Sequence, residues 1–138
     1  MILVVSAKFD KSEGDVLKSL QKSCLDHLIE HDQAIEFHEV PGAIEIPVTI
    51  QHFLEQTPGK FSAAIALGCV IKGGSDHYDL VIKSVTDGLT QLALKQGLPI
   101  VQGILACHNK EQAIERRKLG KEYAQTALEM KQLFSENI

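Results

Sequence analysis

The chain has 138 residues, 44% of them hydrophobic and 23% charged, and a formal net charge of −4. That length suits one domain spanning 1–138, which buries about two thirds of its unfolded surface and so needs no staple to hold a core. A net negative charge with no basic run excludes the usual nucleic-acid and anionic-membrane partners, and three scattered cysteines (Cys24, Cys69, Cys107) among apolar neighbours read as reduced core residues of a cytoplasmic protein, without metal-ligand spacing.

Met1 is followed by Ile2 to Ser6, an apolar run too short for a membrane span and lacking a basic leader, so the first predicted element is a strand. Leu17, Leu20, Cys24 and Leu28 recur at helical spacing and predict a helix behind it. A second strand is predicted over Ala34 to Val40. The segment from Val40 through Pro41 and Gly42 to Pro47 then leads into a helix, with Glu45 where that helix should start. Phe61 to Leu67 predicts the third strand, which runs on into Gly73, Gly74 and Ser75 and ends at His77. Val81, Val85, Leu89 and Leu92 mark the helix that begins near His77, and Gly97 followed by Pro99 closes it. Ile100 to Leu105 is the fourth predicted strand. Beyond it Asn109, with Gln112 three positions on, forms a capping box for a helix carrying Arg116, and a last helix completes the order βαβαβαβαα.

The first, third and fourth runs are apolar at nearly every position, as strands buried on both faces are. This pattern predicts an α/β fold: a three-layer α/β/α sandwich on a four-stranded parallel sheet in flavodoxin-like order. Ligands of such sheets collect beyond the carboxyl ends of the strands, where Phe9, residues 41–45, 69–77 and 102–109 are all placed.

Successive backbone N–H groups at 73–75 can converge on a phosphate, aided by the positive end of the following helix. His77 either caps that helix or, with an imidazole that titrates near neutrality, moves protons beside the anion. The other histidines (His27, His31, His38, His52, His108) read as solvated. Glu45 either balances a helix dipole or accepts hydrogen bonds from a ligand. Phe9 is a core aromatic or a stacking platform. Arg116 and Arg117 are adjacent, and the residues alone do not choose between the two guanidiniums.

Three motifs in order, Pro41-Gly-Ala-Ile-Glu-Ile-Pro47, Ala66-Leu-Gly-Cys-Val-Ile-Lys-Gly-Gly-Ser-Asp-His77 and Glu111-Gln-Ala-Ile-Glu-Arg116, resemble the 6,7-dimethyl-8-ribityllumazine synthase family of riboflavin biosynthesis across nearly the whole chain. The resemblance implies a transferase that condenses 5-amino-6-(D-ribitylamino)uracil with 3,4-dihydroxy-2-butanone 4-phosphate, with no metal or organic cofactor. It implies His77 as general acid and base, and Gly74, Ser75 and Arg116 as the phosphate anchor. Phe9, Ala43, Ile44, Glu45, Cys69, Val70, Ile71 and Gln102 would hold the ribityl-pyrimidine.

The chain departs from the family pattern in four places. Gln102 and Ile44 stand where aromatics are frequent, Asp76 sets a carboxylate beside the phosphate loop, and the turn Arg117 to Gly120 is short and lacks a recognisable lysine, leaving Lys118 and Lys121 as candidates. Two competing readings are an archaeal-type riboflavin synthase, against which His77 and the full loop speak, and a flavin- or lumazine-binding protein without catalysis. The resemblance further implies a homo-oligomer whose site lies between neighbours of a pentameric ring. Because the chain opens on its first strand and has a shortened turn, the expectation is a pentamer or two face-to-face pentamers rather than a sixty-subunit shell.

Overall fold

A computed structural model describes residues 1–8, 14–73 and 77–136. The elements are β1 (Ile2–Ala7), α1 (Gly14–Glu30), β2 (Ile35–Val40), a 3₁₀ turn (Ala43–Glu45), α2 (Ile46–Gln56), β3 (Ala63–Ile71), α3 (Tyr78–Gln96), β4 (Ile100–Cys107), α4 (Lys110–Glu115) and α5 (Gly120–Glu136). All strand pairs are parallel, in the order β2-β1-β3-β4. The helices α1 and α5 pack together against β3, and α2 with α3 cover β1 and β4 on the other face. The α/β class, the parallel four-stranded sheet and the element order are as the sequence predicts.

The central strands carry the core. Ile2, Leu3, Val4 and Val5 of β1 and Ala63 to Leu67 of β3 are all 0% exposed. At roughly 1.5–3 kcal/mol for each large aliphatic taken out of water, these two strands outweigh the partly exposed edges in fixing the sheet. Ser6 is equally buried, and its hydroxyl is satisfied: it donates to the Ala7 carbonyl at 2.9 Å and accepts from Gln21 Nε2 at 2.7 Å.

Three expectations need correction. β3 runs to Ile71 and β4 to Cys107, beyond the predicted ends, because each supplies the other's ladder: Cys69 pairs with Leu105, Val70 with Ala106 and Ile71 with Cys107. Residues 69–71 are therefore strand, not loop. β4 is an edge strand and is not buried on both faces, since Gln102 is exposed and Ile100 and Ala106 are half-buried. Nor is every histidine outside the site solvated: His27 is 8% exposed, holds Gln125 Oε1 at 2.8 Å across the α1–α5 seam and lies 4.3 Å from the His31 ring. His38 is half-buried, stacked on Phe53 at 4.0 Å and bonded to Glu36.

Helix ends follow their residues. Gly97 adopts φ 62°, the left-handed conformation that costs glycine nothing, and its N–H returns to Ala93 O to close α3. Gly120 opens α5 where α1 passes closest: a Cβ there would stand 2.1 Å from the Leu20 carbonyl oxygen and 2.9 Å from the Cys24 nitrogen. Only glycine allows that approach.

Candidate functional site

Parallel strands bring four chain segments to one rim, and a cavity of about 280 Å³ opens there. Ala7 and Lys8 line it from the end of β1, Pro41 to Glu45 from beyond β2, Cys69 and Val70 from β3, and Leu17 and Val81 from the flanking helices. Five of the residues singled out from sequence are thus together: Ala43, Ile44, Glu45, Cys69 and Val70. Ile71 completes the strand beside them without lining the cavity. A larger cleft of about 640 Å³ lies at the opposite end of the sheet, between the ends of α2 and α3. Its charged groups face each other, with Lys95 Nζ 3.8 Å from Glu55 Oε1 and Gln96 Nε2 donating to the same oxygen at 3.3 Å, and it contains none of the candidate residues.

Pro41 and Gly42 turn the chain out of β2, and the 3₁₀ turn Ala43–Glu45 passes directly into α2, with proline at the start of the helix where its missing N–H is harmless. Ile44 is 53% exposed at the cavity, an apolar surface free to face a ligand. Glu45 occupies the N-cap of α2, yet its side chain makes no capping bond; the carboxylate folds back to Gly42, where a Cβ would stand 3.2 Å from Oε2. Glu45 lines the cavity from this position.

His77 sits at the N-cap of α3 and its carbonyl accepts from Val81 N at 2.9 Å, but its imidazole makes no capping bond either. The capping role is absent, and the exposed ring stands at the positive end of a 19-residue helix. Lys72 and Gly73 continue toward β4, their N–H groups donating to Cys107 O at 2.8 Å and His108 O at 3.4 Å. Phe9, Gly74, Ser75 and Asp76 lie outside the described residues.

Arg116 and Arg117 part company. Arg117 Nη1 donates to Ile114 O at 2.7 Å and so is spent on the last turn of α4. Arg116, exposed, lies across the carboxyl end of β4 with Nη1 3.5 Å from Ala106 O and 3.8 Å from Cys107 Sγ. No carboxylate neutralises it among the described residues. The α4 start that positions it is capped by Asn109 Oδ1, which accepts from Gln112 N at 2.9 Å; Gln112 Oε1 reaches one residue further back than a capping box would, to His108 N at 2.8 Å. Gln102 is not gathered with the rest. Its Nε2 donates to Thr86 Oγ1 of α3 at 2.9 Å, five positions before the end of β4 and so roughly 16 Å from that rim.

Lys8, a cation at the mouth, was not identified from the sequence; its place immediately after the first strand was the available signal. Cys107, whose Sγ lies 3.8 Å from Arg116 Nη1, gave no motif signal. Among the described residues no group of three or more histidines, cysteines or carboxylates is placed to hold a metal, and no helix is long and apolar enough to cross a membrane.

Comparison with known proteins places these residues in context. The family model for 6,7-dimethyl-8-ribityllumazine synthase matches residues 1–135. A relative from Spinacia oleracea, described as 6,7-dimethyl-8-ribityllumazine synthase, chloroplastic, is 36% identical over 142 residues, covering 98% of this chain. The chain spans 62% of that relative's own length.

Proposed function

Because the chain belongs to the 6,7-dimethyl-8-ribityllumazine synthase family, we propose that it condenses 5-amino-6-(D-ribitylamino)uracil with 3,4-dihydroxy-2-butanone 4-phosphate, releasing orthophosphate and water. The observation that carries this reading is the gathering of Ala43–Glu45, Cys69 and Val70 around one cavity, with His77 opening α3 and an unneutralised Arg116 across the end of β4. The amine of the pyrimidine attacks the ketone to give a carbinolamine, which loses water to an imine. Phosphate leaves by elimination, and closure of the ring with loss of a second water yields the lumazine.

Each step moves a proton, and His77 takes and returns it. Arg116, with the loop residues Gly74 and Ser75, holds the phosphate dianion through charge-assisted bonds that a planar guanidinium can make in pairs. Glu45 accepts hydrogen bonds from ribityl hydroxyls, Phe9 stacks on the pyrimidine, and Ala43, Ile44, Cys69, Val70, Ile71 and Gln102 shape the rest. Much of the acceleration comes from holding two substrates in register.

The assembly proposed is a pentamer, or two pentamers face to face, with Gln102 and Arg116 of one protomer completing the site of the next. Exposed Ile44, Val48 and Leu80 (53%, 65% and 67%) on the α2–α3 side support a partner there. Closed shells by electron microscopy would overturn the assembly.

The reaction is tested by incubating purified protein with both substrates and following lumazine fluorescence. A protein that binds lumazine but never forms it would refute the synthase reading and leave a binding protein. Formation of riboflavin from lumazine alone would mark a riboflavin synthase.

A further inference from the structure

Resting on the ribityl role given to Glu45, we propose that Lys8 is a further substrate-binding residue, one that sets specificity for the ribityl chain. Its ammonium donates to hydroxyl oxygens of that chain, while the Glu45 carboxylate accepts from hydroxyl hydrogens in the same cavity. Both groups belong to one protomer, so the pair is complete however the protomers assemble.

Lys8 follows β1 directly and is not a free loop residue. Its N–H donates to Val40 O at 2.7 Å, which carries the β1–β2 ladder one residue past the pairing of Ala7 with Val40. Val40 is in turn the last residue of β2, where the chain leaves through Pro41 and Gly42 toward Glu45. One short bond thus ties the backbone of the lysine to the foot of the segment that carries the carboxylate, and both residues line the cavity of about 280 Å³.

The walls of that cavity are mostly apolar: Leu17, Ala43, Ile44, Val70 and Val81. Lys8 and Glu45 are its only charged lining groups among the described residues. Neither side chain makes an ion pair or a hydrogen bond among those residues, with the other or with anything else. Two opposite charges left unpaired on one apolar cavity restrict what it can hold. A singly charged ligand gains at one group what it loses at the other. A neutral polyol satisfies both, because an ammonium only donates, a carboxylate only accepts, and each hydroxyl can do either. Apolar walls keep competing water away and strengthen each such bond.

The test is Lys8→Met in the assembled protein, which keeps the length of the side chain and removes its donors. Calorimetric titration compares 5-amino-6-(D-ribitylamino)uracil with 5-amino-6-(methylamino)uracil, the same ring without the hydroxyls. Lys8→Met should weaken the ribityl compound about tenfold and leave the methylamino compound unchanged, with KM for the ribityl substrate rising in parallel. KM for the butanone phosphate and Tm should not move, since the side chain is exposed. Lys8→Arg, which keeps charged N–H donors, should recover most of the lost affinity. Unchanged affinity for the ribityl compound in Lys8→Met, or an equal loss for both pyrimidines, overturns the proposal and leaves the synthase reading intact. A rise confined to KM for the butanone phosphate would place Lys8 with the phosphate and overturn it equally. If the wild type makes no lumazine yet the ribityl compound alone loses affinity in Lys8→Met, the reaction falls and the polyol site stands.

Discussion

Replacing Arg116 by alanine isolates the anion site from the fold. The side chain is exposed, and its two protein contacts, 3.5 Å to Ala106 O and 3.8 Å to Cys107 Sγ, are too long to hold much energy. Its removal should cost under about 0.5 kcal/mol of stability, as for surface positions generally. Toward a phosphate dianion the balance reverses, because a charge-assisted bond contributes about 1.5–3 kcal/mol, which is about 10- to 150-fold in binding. KM for the butanone phosphate should rise by that factor with KM for the pyrimidine unchanged, and inorganic phosphate should lose potency as a competitive inhibitor in parallel. Arg116→Lys keeps the charge and loses the fork, so it should fall between. Arg117→Ala is the control: it removes a 2.7 Å bond to Ile114 O and should lower stability by about 0.5–1 kcal/mol with no change in KM. Steady-state fluorescence with one substrate saturating decides the matter. If Arg117→Ala raises KM and Arg116→Ala does not, the wrong arginine has been assigned; if neither does, the phosphate is not held at this turn.

Three further perturbations probe separate parts of the molecule. His77→Ala should lower turnover by about 10² at most, water replacing the imidazole in part, with substrate affinities unchanged; lost affinity with intact turnover would make His77 a binding residue. Gly120→Ala sets a methyl 2.1 Å from the Leu20 carbonyl oxygen and 2.5 Å from Ser23 Oγ, so α1 and α5 must separate, at a cost of about 3 kcal/mol and a fall in Tm of roughly 10 °C; calorimetry at fixed protein concentration showing a shift under about 2 °C would refute the close approach. On β2 the Glu36 carboxyl is held below its ordinary range, chiefly by a 2.7 Å hydrogen bond from Lys60 and then by His38. A pKa lowered by folding stabilises above the unfolded value and is lost as pH falls through the folded one. The groups are partly exposed, so Glu36→Gln should cost only about 0.5 kcal/mol at pH 7, and the deficit should shrink in melts taken as pH falls through the carboxylate range, vanishing only once Glu36 is protonated in the folded state as well.

What the sequence made legible follows from what determines it locally. Ile2 to Ser6 and Ala63 to Leu67 are buried on both faces, so the composition of the runs that contain them declared central strands, although β3 starts two residues after the predicted Phe61. The Pro41-Gly42 turn, the Gly97 stop and the Asn109 cap are set by backbone chemistry within a few residues and were equally readable. Strand ends were not, because the four extra residues of β3 are paired by the tail of β4, a decision taken some 36 positions away in the register of Ile71 with Cys107. His27 misled for the same reason: its partner Gln125 lies 98 residues on. Within the site, the resemblance implies Arg116 and the residues alone did not choose; the structure shows Arg117 Nη1 bonded to Ile114 O of α4 and Arg116 exposed.

The position of Gln102 leads to a last prediction. Its hydrogen bond to Thr86 and its register opposite Ala66 hold it roughly 16 Å down β4, where no side-chain rotation brings it to the cavity of its own protomer. A ring in which each site joins His77 of one protomer to Arg116 of the next removes the conflict, and it makes a quantitative demand. Suppose His77→Ala and Arg116→Ala chains, each nearly inactive below the KM of the phosphate substrate, are co-expressed with different tags and purified as mixed rings. Random assembly at equal ratio gives each site an intact His77 with chance one half and an intact Arg116 with chance one half, so about one quarter of the sites should be whole. Lumazine formation per protomer should recover to about that fraction of wild type, against a mixture of separately assembled rings that recovers nothing. Were both residues drawn from one protomer, no mixed ring could contain a whole site, and activity at the level of the parent variants would refute the shared arrangement however well the rings assembled.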